Sequence, residues 1–171
     1  MKSFHSSLRQ YLLALVFLST GLMTACQQES RDLGRGELNE FAIRYAAAWS
    51  SQDPERLASH YAKNGVLQIN DGDPSVGREA VTETARSFMT AFPDMVVRLV
   101  ELRSVDDQLQ FHWHWTGTHT GPGGTGNPVD LKGYEQWTLG KDGLIVQSLG
   151  HYDTNEYQRQ LSADPVIQAD E

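Results

Sequence analysis

The chain lacks the features of a disulfide-stabilised protein and of a nucleic-acid-binding protein. Its 171 residues include a single cysteine, Cys26, so no disulfide can form within the chain. Its 14 Lys and Arg residues are outnumbered by 22 Asp and Glu residues, and its formal net charge is −8. Nucleic-acid phosphates are bound by clusters of basic side chains, and the sequence shows none. The composition therefore argues against nucleic acid as a partner, and burial must stabilise the fold.

The sequence also has no long hydrophobic run. The apolar stretch at residues 11–18 is too short to span a bilayer comfortably, because about 20 apolar residues are needed. It follows the basic residues Lys2 and Arg9 and precedes the small residues Thr24 and Ala25. This order is typical of a secretory signal peptide. Residues 1–25 are therefore predicted to be a signal peptide, with a transmembrane helix as the less favoured alternative.

Cys26 closes this segment, and Thr24-Ala25-Cys26 resembles a bacterial lipobox. The resemblance implies cleavage before Cys26 and its acylation, for example with palmitate. An ordinary signal peptide with an incidental cysteine is the alternative. Several acyl chains anchor a protein stably to a membrane, where a single chain is marginal. Because Gln27 is not the Asp linked with inner-membrane retention, the expected location is the cell envelope, with the periplasmic face of the outer membrane favoured.

Composition divides the rest of the chain into three parts. Residues 26–36 are the lipidated cysteine and a polar, flexible tether, and residues 162–171 are an acidic tail. Residues 37–161 have the length of one domain with one core.

Hydrophobic spacing in this domain predicts helices first. Apolar residues from Leu38 to Trp49 recur at intervals that place them on one helical face. Asp53-Pro54 is typical of a helix start, and this short helix is expected to reach about Tyr61. A brief strand at residues 66–69 and a third helix at residues 81–92 follow.

The later sequence is of strand type. The predicted strands are Met95–Val105, Gln108–Thr118, Asp130–Leu139 and Leu144–Tyr152, with turns at residues 106–107 and 141–143. A last helix begins near Asp153 and runs through Leu161. Helices followed by strands indicate an α+β fold with helices on one face of an antiparallel sheet.

Within the second predicted strand, His112 and His114 alternate with Phe111, Trp113 and Trp115. Two histidines at this spacing can contribute to a metal site. No third ligand accompanies them at a suggestive spacing, so a solvated or interface face is favoured and no metal is predicted.

The domain carries several short segments in a characteristic order. They are residues 77–81 (Gly-Arg-Glu-Ala-Val), 92–94 (Phe-Pro-Asp), 117–121 (Gly-Thr-His-Thr-Gly), 123–126 (Gly-Gly-Thr-Gly), 141–146 (Lys-Asp-Gly-Leu-Ile-Val) and 152–153 (Tyr-Asp). The series resembles the SnoaL-like polyketide (ester) cyclase family of the nuclear-transport-factor-2-like (NTF2-like) superfamily, over about residues 37–161. The resemblance implies an NTF2-like cone, in which a curved antiparallel sheet packs on N-terminal helices around an internal apolar pocket. It also implies a homodimer through the outer face of the sheet.

The resemblance further implies cofactor-independent ring closure by aldol chemistry, with Asp153 as the catalytic acid/base. A carboxylate in an apolar pocket has a raised pKa and can exchange protons with a carbon acid near neutral pH. The alternative is that Asp153 caps the last helix by accepting from the amides of Asn155 or Glu156.

Two histidines are candidates for assisting this carboxylate. His119 is a candidate for hydrogen-bonding or polarising a substrate carbonyl, and the alternative is a structural histidine that bonds a loop carbonyl in a glycine-rich turn. His151 lies two residues before Asp153 and would share its face if strand geometry continued, with a solvated position as the alternative.

Aromatic residues are the predicted pocket wall and the candidates for ligand binding, with plain core packing as the alternative: Tyr45, Trp49, Trp115, Tyr134 and Trp137. Glu135 is a second acidic candidate, on the strand face opposite Tyr134. Where many family members carry polar residues in the last strand, this chain has Ser148, Leu149 and Gly150, which removes polar groups from the predicted pocket.

Three functions are therefore open. The first is a cyclase, isomerase or hydrolase that acts without a cofactor on a small carbonyl-type substrate. The second is non-catalytic binding of a small apolar or aromatic molecule in the cell envelope. The third is an assembly role for the outer face of the sheet, because one fold serves many functions.

Overall fold

The computed structural model describes residues 34–106 and 108–163. The predicted signal peptide, Cys26 and residues 164–171 of the predicted tail lie outside the described residues. None of the helices in the described part of the chain has the length and apolar character needed to cross a membrane.

Four helices are present: α1 (Arg35–Trp49), α2 (Pro54–Ala58), α3 (Gly77–Ala91) and α4 (Thr154–Leu161). Helix α1 buries the predicted apolar stripe, including Phe41, Tyr45 and Trp49. Helix α2 begins as predicted, because the carboxylate of Asp53 accepts from the Arg56 amide at 2.9 Å. It ends at Ala58, earlier than predicted, because Tyr61 is already the first residue of a strand.

The strands are β1 (Tyr61–Ile69), β2 (Ser75–Val76), β3 (Val96–Val105), β4 (Gln108–Thr118), β5 (Pro128–Leu139) and β6 (Ile145–Tyr152). They form one curved sheet in the order β2-β1-β6-β5-β4-β3. The four later strands confirm the prediction to within two residues at each end. The two-residue strand β2 was not predicted, because a hydrophobic period cannot be recognised over two positions.

The sheet is mixed rather than wholly antiparallel, so that part of the prediction is wrong. Strand β1 runs parallel to β6, with Leu67 opposite Ser148 and Ile69 opposite Gly150. A parallel pair needs a long connection between its strands, and here that connection comprises α3 and the four strands β2, β3, β4 and β5.

Alternation along β4 separates the two faces of the sheet. Phe111, Trp113 and Trp115 are buried on the face towards the helices, whereas His112 and His114 lie on the other face, only partly buried. The same two-residue period on β5 and β6 places Glu135, Ser148 and Gly150 on the inner face together.

Candidate functional site

A cavity lies on the inner face of the sheet, beneath the helices. It holds about 510 Å³ of space that atoms do not fill, part of it open to solvent. Its lining is almost entirely apolar and aromatic: Trp49, Leu67, Ile69, Phe88, Val97, Trp113, Trp115, Glu135, Gly150 and Tyr152. Glu135 is the one charged residue among these ten, so any proton chemistry by a carboxyl group in this cavity depends on it.

Aromatic side chains at right angles to one another build the walls. The rings of Trp49 and Phe88 lie 6.0 Å apart at 88°, and those of Phe88 and Trp115 lie 5.9 Å apart at 80°. Edge-to-face contacts of this kind are favourable and directional. These contacts pack helices α1 and α3 against β4 at the cavity wall.

Glu135 lines this cavity and is only 6 % exposed. Three donors converge on one of its oxygens, Oε2. They are the Tyr45 hydroxyl at 2.9 Å, the Trp137 indole N–H at 2.9 Å and the Ser148 hydroxyl at 2.5 Å. These donors come from α1, β5 and β6, so the position of the carboxyl group is fixed by three elements.

The other oxygen of Glu135, Oε1, accepts no hydrogen bond from any described residue. Oε1 is not one of the polar atoms that are fully enclosed and have no hydrogen-bond partner. Part of its surface is therefore accessible. Since Glu135 lines the cavity, Oε1 is the oxygen that is accessible from it. One carboxyl group therefore has an oxygen held by the protein and an oxygen left for a ligand.

Burial raises the pKa of Glu135, and the hydrogen bonds from Ser148, Trp137 and Tyr45 offset this only in part. The Tyr45 hydroxyl also lies 2.7 Å from the Tyr61 hydroxyl. Burial, together with the nearby charge of Glu135, raises the pKa of both tyrosines well above its ordinary value. Both phenols therefore stay neutral and remain able to donate towards the carboxyl group.

Two further polar groups of the cavity residues are uncommitted. The indole nitrogen of Trp115 is buried and has no hydrogen-bond partner in the described structure. The Tyr152 hydroxyl makes no hydrogen bond to a described residue, and burial raises the pKa of Tyr152. The Trp115 nitrogen is fully enclosed and does not face the open part of the cavity. The Tyr152 hydroxyl therefore favours a ligand that carries an acceptor atom.

Residues 42–148 match the family of the SnoaL-like domain. The chain belongs to the SnoaL-like domain family. The predicted resemblance is thereby confirmed at the level of family and fold. A comparison with curated proteins gives no match.

Solved structures share the fold of this SnoaL-like domain. A proposed SnoaL-like polyketide cyclase from a Jannaschia species superposes with a TM-score of 0.67 at 19% identity, over 79% of this chain and 99% of that chain. A hypothetical protein with a ketosteroid isomerase-like fold from Catenulispora acidiphila, in complex with trimethylamine, gives 0.64 at 17% identity, over 73% and 94%. The epoxide hydrolase/cyclase-like enzyme SalBIII gives 0.59 at 17% identity, over 69% and 92%.

The structure of the SnoaL-like domain does not bring Asp153 into the cavity, contrary to the prediction. Asp153 is exposed, and its Oδ1 accepts from the Glu156 amide at 3.0 Å as the N-cap of α4. Strand β6 ends at Tyr152 and helix α4 begins directly after Asp153, so the Asp153 carboxylate accepts a hydrogen bond from the first turn of the helix. The alternative interpretation of Asp153 as a helix cap is the observed one.

The two predicted histidines do not line the cavity either. His119 stacks on Phe92 with ring centroids 5.1 Å apart, and its Nδ1 accepts from the Thr125 amide at 3.2 Å. This is a structural role in the glycine-rich loop, in which His119 bonds a backbone amide rather than the loop carbonyl expected for the structural alternative. His151 lies on the outer face beside Tyr134, with ring centroids 4.8 Å apart, and it does not share a face with Asp153.

The predicted aromatic wall is partly correct in its placement. Trp49 and Trp115 line the cavity, and Tyr45 and Trp137 hold Glu135. Tyr134 lies on the outer face, so its placement in the wall is wrong. The signal that identifies Glu135 is its two-residue spacing from Trp137, which places a carboxyl group and a buried indole on the same face of β5.

The histidine pair of β4 is engaged elsewhere. His114 Nε2 lies 2.8 Å from the Asp130 carboxylate, and His112 Nε2 lies 3.0 Å from the Gln110 amide oxygen. Within residues 34–106 and 108–163, no group of three or more His, Cys, Asp or Glu residues is arranged to hold a metal ion.

Proposed function

We propose that the cavity binds a small, uncharged, largely apolar molecule with a carbonyl-type oxygen, and that Glu135 is its general acid and base without a cofactor. This proposal is based on one observation: Oε2 of Glu135 accepts hydrogen bonds from the protein, whereas Oε1 is free to bind a ligand. Since Oε2 already accepts from three donors, a proton on Glu135 is best placed on Oε1. The acid form then donates into the cavity, and the base form accepts a proton there.

The proton balance of such a reaction is simple. The Glu135 carboxylate takes a proton from the carbon next to the ligand carbonyl, and an enolate remains. In an isomerisation, the same proton returns to a different carbon. In a cyclisation, the enolate carbon attacks a second carbonyl group, and the proton goes to the new alkoxide oxygen.

The environment of Glu135 suits this role. Burial raises its pKa, which makes the carboxylate a stronger base than an exposed one and brings its proton exchange closer to neutral pH. The Tyr152 hydroxyl is the donor among the described lining residues that is available to an enolate oxygen in the cavity. No Lys, Arg or His is among the lining residues, so an anionic ligand would meet the carboxylate without a compensating charge.

The comparisons support this proposal only through the fold. The Jannaschia protein is described as a polyketide cyclase, and SalBIII is described as acting in pyran ring formation in the polyether salinomycin. Both names concern chemistry that forms rings, which agrees with an acid/base group in an apolar cavity.

A second candidate function is binding without catalysis. Among the described lining residues there is no second carboxyl group and no histidine that could complete an acid/base pair with Glu135. Here the domain would bind an apolar molecule, and Glu135 would supply a single hydrogen bond.

Two probe compounds and one variant separate these functions. Cyclohexanone and methylenecyclohexane have the same ring, but only the ketone accepts a hydrogen bond. We expect the ketone to bind more tightly, as measured from NMR shifts of the tryptophan indole N–H groups. We also expect the protein to accelerate deuterium exchange at the carbons beside the ketone carbonyl in D₂O.

Glu135→Gln is the matched variant. Its amide oxygen can accept from the three donors while its NH₂ group takes the place of Oε1, so ketone binding should persist and deuterium exchange should fall to the uncatalysed rate. Equal exchange by the variant and the wild-type protein would eliminate Glu135 as the base. Binding without acceleration by either protein would favour the non-catalytic function.

The sequence supports one further part of the proposal, namely that this domain is held in the cell envelope by acylated Cys26. The support is the order of basic, apolar and small residues before Cys26. The homodimer through the outer face of the sheet stays a prediction.

A further inference from the structure

Gly150 lies beside Glu135 in the sheet. The two residues are directly paired across β5 and β6, and both line the cavity. A side chain at position 150 would therefore project into the cavity next to the carboxyl group.

Nothing in the fold requires a glycine at this position. Gly150 is not one of the glycines with positive φ, which are Gly77, Gly123, Gly126 and Gly143. A Cβ atom built on Gly150 would meet only ordinary van der Waals contacts, with its nearest neighbours at 3.6, 3.7 and 3.8 Å.

Gly133, in the adjacent strand, is by contrast a position where the packing requires glycine. A Cβ atom there would lie 2.4 Å from the ring of Trp113 and 2.3 Å from the carbonyl oxygen of His151. Gly133 is therefore needed for packing, whereas Gly150 is not.

A glycine inside a strand weakens it, because its unfolded chain has more conformational freedom and it offers no side chain to pack. At position 150 the glycine lowers the stability of β6, and no contact in the fold compensates for this loss. What the glycine leaves is space: the nearest side-chain atom to the added Cβ would be Glu135 Cγ at 3.7 Å.

We propose that Gly150 is a specificity-determining residue, which leaves room for the ligand atoms that must lie beside the Glu135 carboxyl group. This inference rests on the proposed function of the cavity and adds a size limit to it. A methyl group at position 150 should exclude the larger of two similar ketones while leaving the fold intact.

Gly150→Ala tests this with cyclohexanone and cyclopentanone, which differ by one methylene group. We expect the affinity for cyclohexanone to fall about tenfold or more, the scale on which a hydrophobic pocket distinguishes one methylene. The affinity for cyclopentanone should fall less, so the ratio of the two affinities changes. The melting temperature should not decrease, because alanine fits the site and restricts the unfolded chain.

Two other glycines supply matched controls. Gly36→Ala lies on the exposed surface of α1, where an added Cβ meets no atom within 4 Å, and it should leave both affinities unchanged. Gly133→Ala should lower the melting temperature, because the Trp113 ring must move.

Each outcome decides the inference. A stable Gly150→Ala variant with a changed affinity ratio supports it. Unchanged affinities overturn it, and so does a lowered melting temperature, because the glycine would then be structural. If the wild-type protein binds neither ketone, the proposed function fails together with this inference. If it binds both and the variant binds them with unchanged affinities, only this inference fails.

Discussion

The Tyr45 hydroxyl donates to Oε2 of Glu135 at 2.9 Å, across 90 residues of sequence. Through this bond, the first helix holds the one carboxyl group of the cavity in place. The Tyr61 hydroxyl, 2.7 Å from that of Tyr45, extends the network into β1. Because buried polar groups are stable only when they are hydrogen-bonded, the network connects the site to the stability of the fold.

Replacing Glu135 should change how stability depends on pH. The folded-state pKa of Glu135 is raised above its ordinary value of 4.5, so the folded state binds this proton more tightly than the unfolded state. This contribution is fully present below the ordinary value and is lost as pH rises through the raised pKa. In Glu135→Gln this loss should disappear, and urea unfolding at several pH values measures it.

His60 also contributes to the pH dependence of stability, but its contribution is the same in Glu135→Gln and in the wild-type protein and cancels when the two are compared. This residue packs on the Tyr45 ring at 5.6 Å, and burial lowers its pKa. It destabilises both proteins equally as the pH falls. A variant whose pH profile parallels that of the wild-type protein would contradict a raised pKa for Glu135.

Removal of the Tyr45 hydroxyl should destabilise the fold. Tyr45→Phe leaves Oε2 of Glu135 without one donor and the Tyr61 hydroxyl without its partner, and each such loss costs about 1–3 kcal/mol. The free energy of unfolding from urea titration is the measurement. Tyr157→Phe is the control, since the Tyr157 hydroxyl makes no hydrogen bond to a described residue. Equal stabilities of the two variants would be evidence against the network.

Asp153 should act on stability and not on the cavity. Asp153→Ala removes the N-cap of α4 and should cost about 1 kcal/mol, whereas Asp153→Asn keeps a capping oxygen and should cost less. Neither variant should alter ketone binding or deuterium exchange. Loss of exchange in Asp153→Asn, with the fold intact, would restore Asp153 as the catalytic group.

Cys26→Ser should prevent lipid attachment. We expect the wild-type protein to incorporate labelled palmitate and to enter the detergent phase, and the variant to do neither. Labelling of the variant would show that any acyl chain is attached elsewhere.

The fold was largely predictable because local spacing determines most of it. The apolar stripe of α1 extends from Leu38 to Trp49 and the alternation in β4 from Phe111 to Trp115, and each is long enough for its period to be recognised. The parallel pairing of β1 with β6 was not predictable, since it joins Leu67 to Ser148 and no local pattern reports such a distant contact.

The site was less predictable because the same residue types serve both structure and chemistry. Asp153 occupies a position that favours a helix cap as strongly as it suggests catalysis, and only the chain direction after Tyr152 decides between them. The sequence makes Glu135 no more than a second candidate, because its three donors come from Tyr45, Trp137 and Ser148, which are far apart or of uninformative type in the sequence.

The pairing of β1 with β6 also affects how the protein is made. Tyr61 cannot meet Ile145 until the ribosome has released the last strand. Strand β1 therefore has an open edge from its own synthesis until β6 emerges, and β5 has one during the shorter interval before β6 follows it. Such edges can pair with other chains. The nascent protein is therefore most prone to aggregate just before residues 145–152 emerge, and a truncated chain that stops at Gly143 should accumulate as insoluble material.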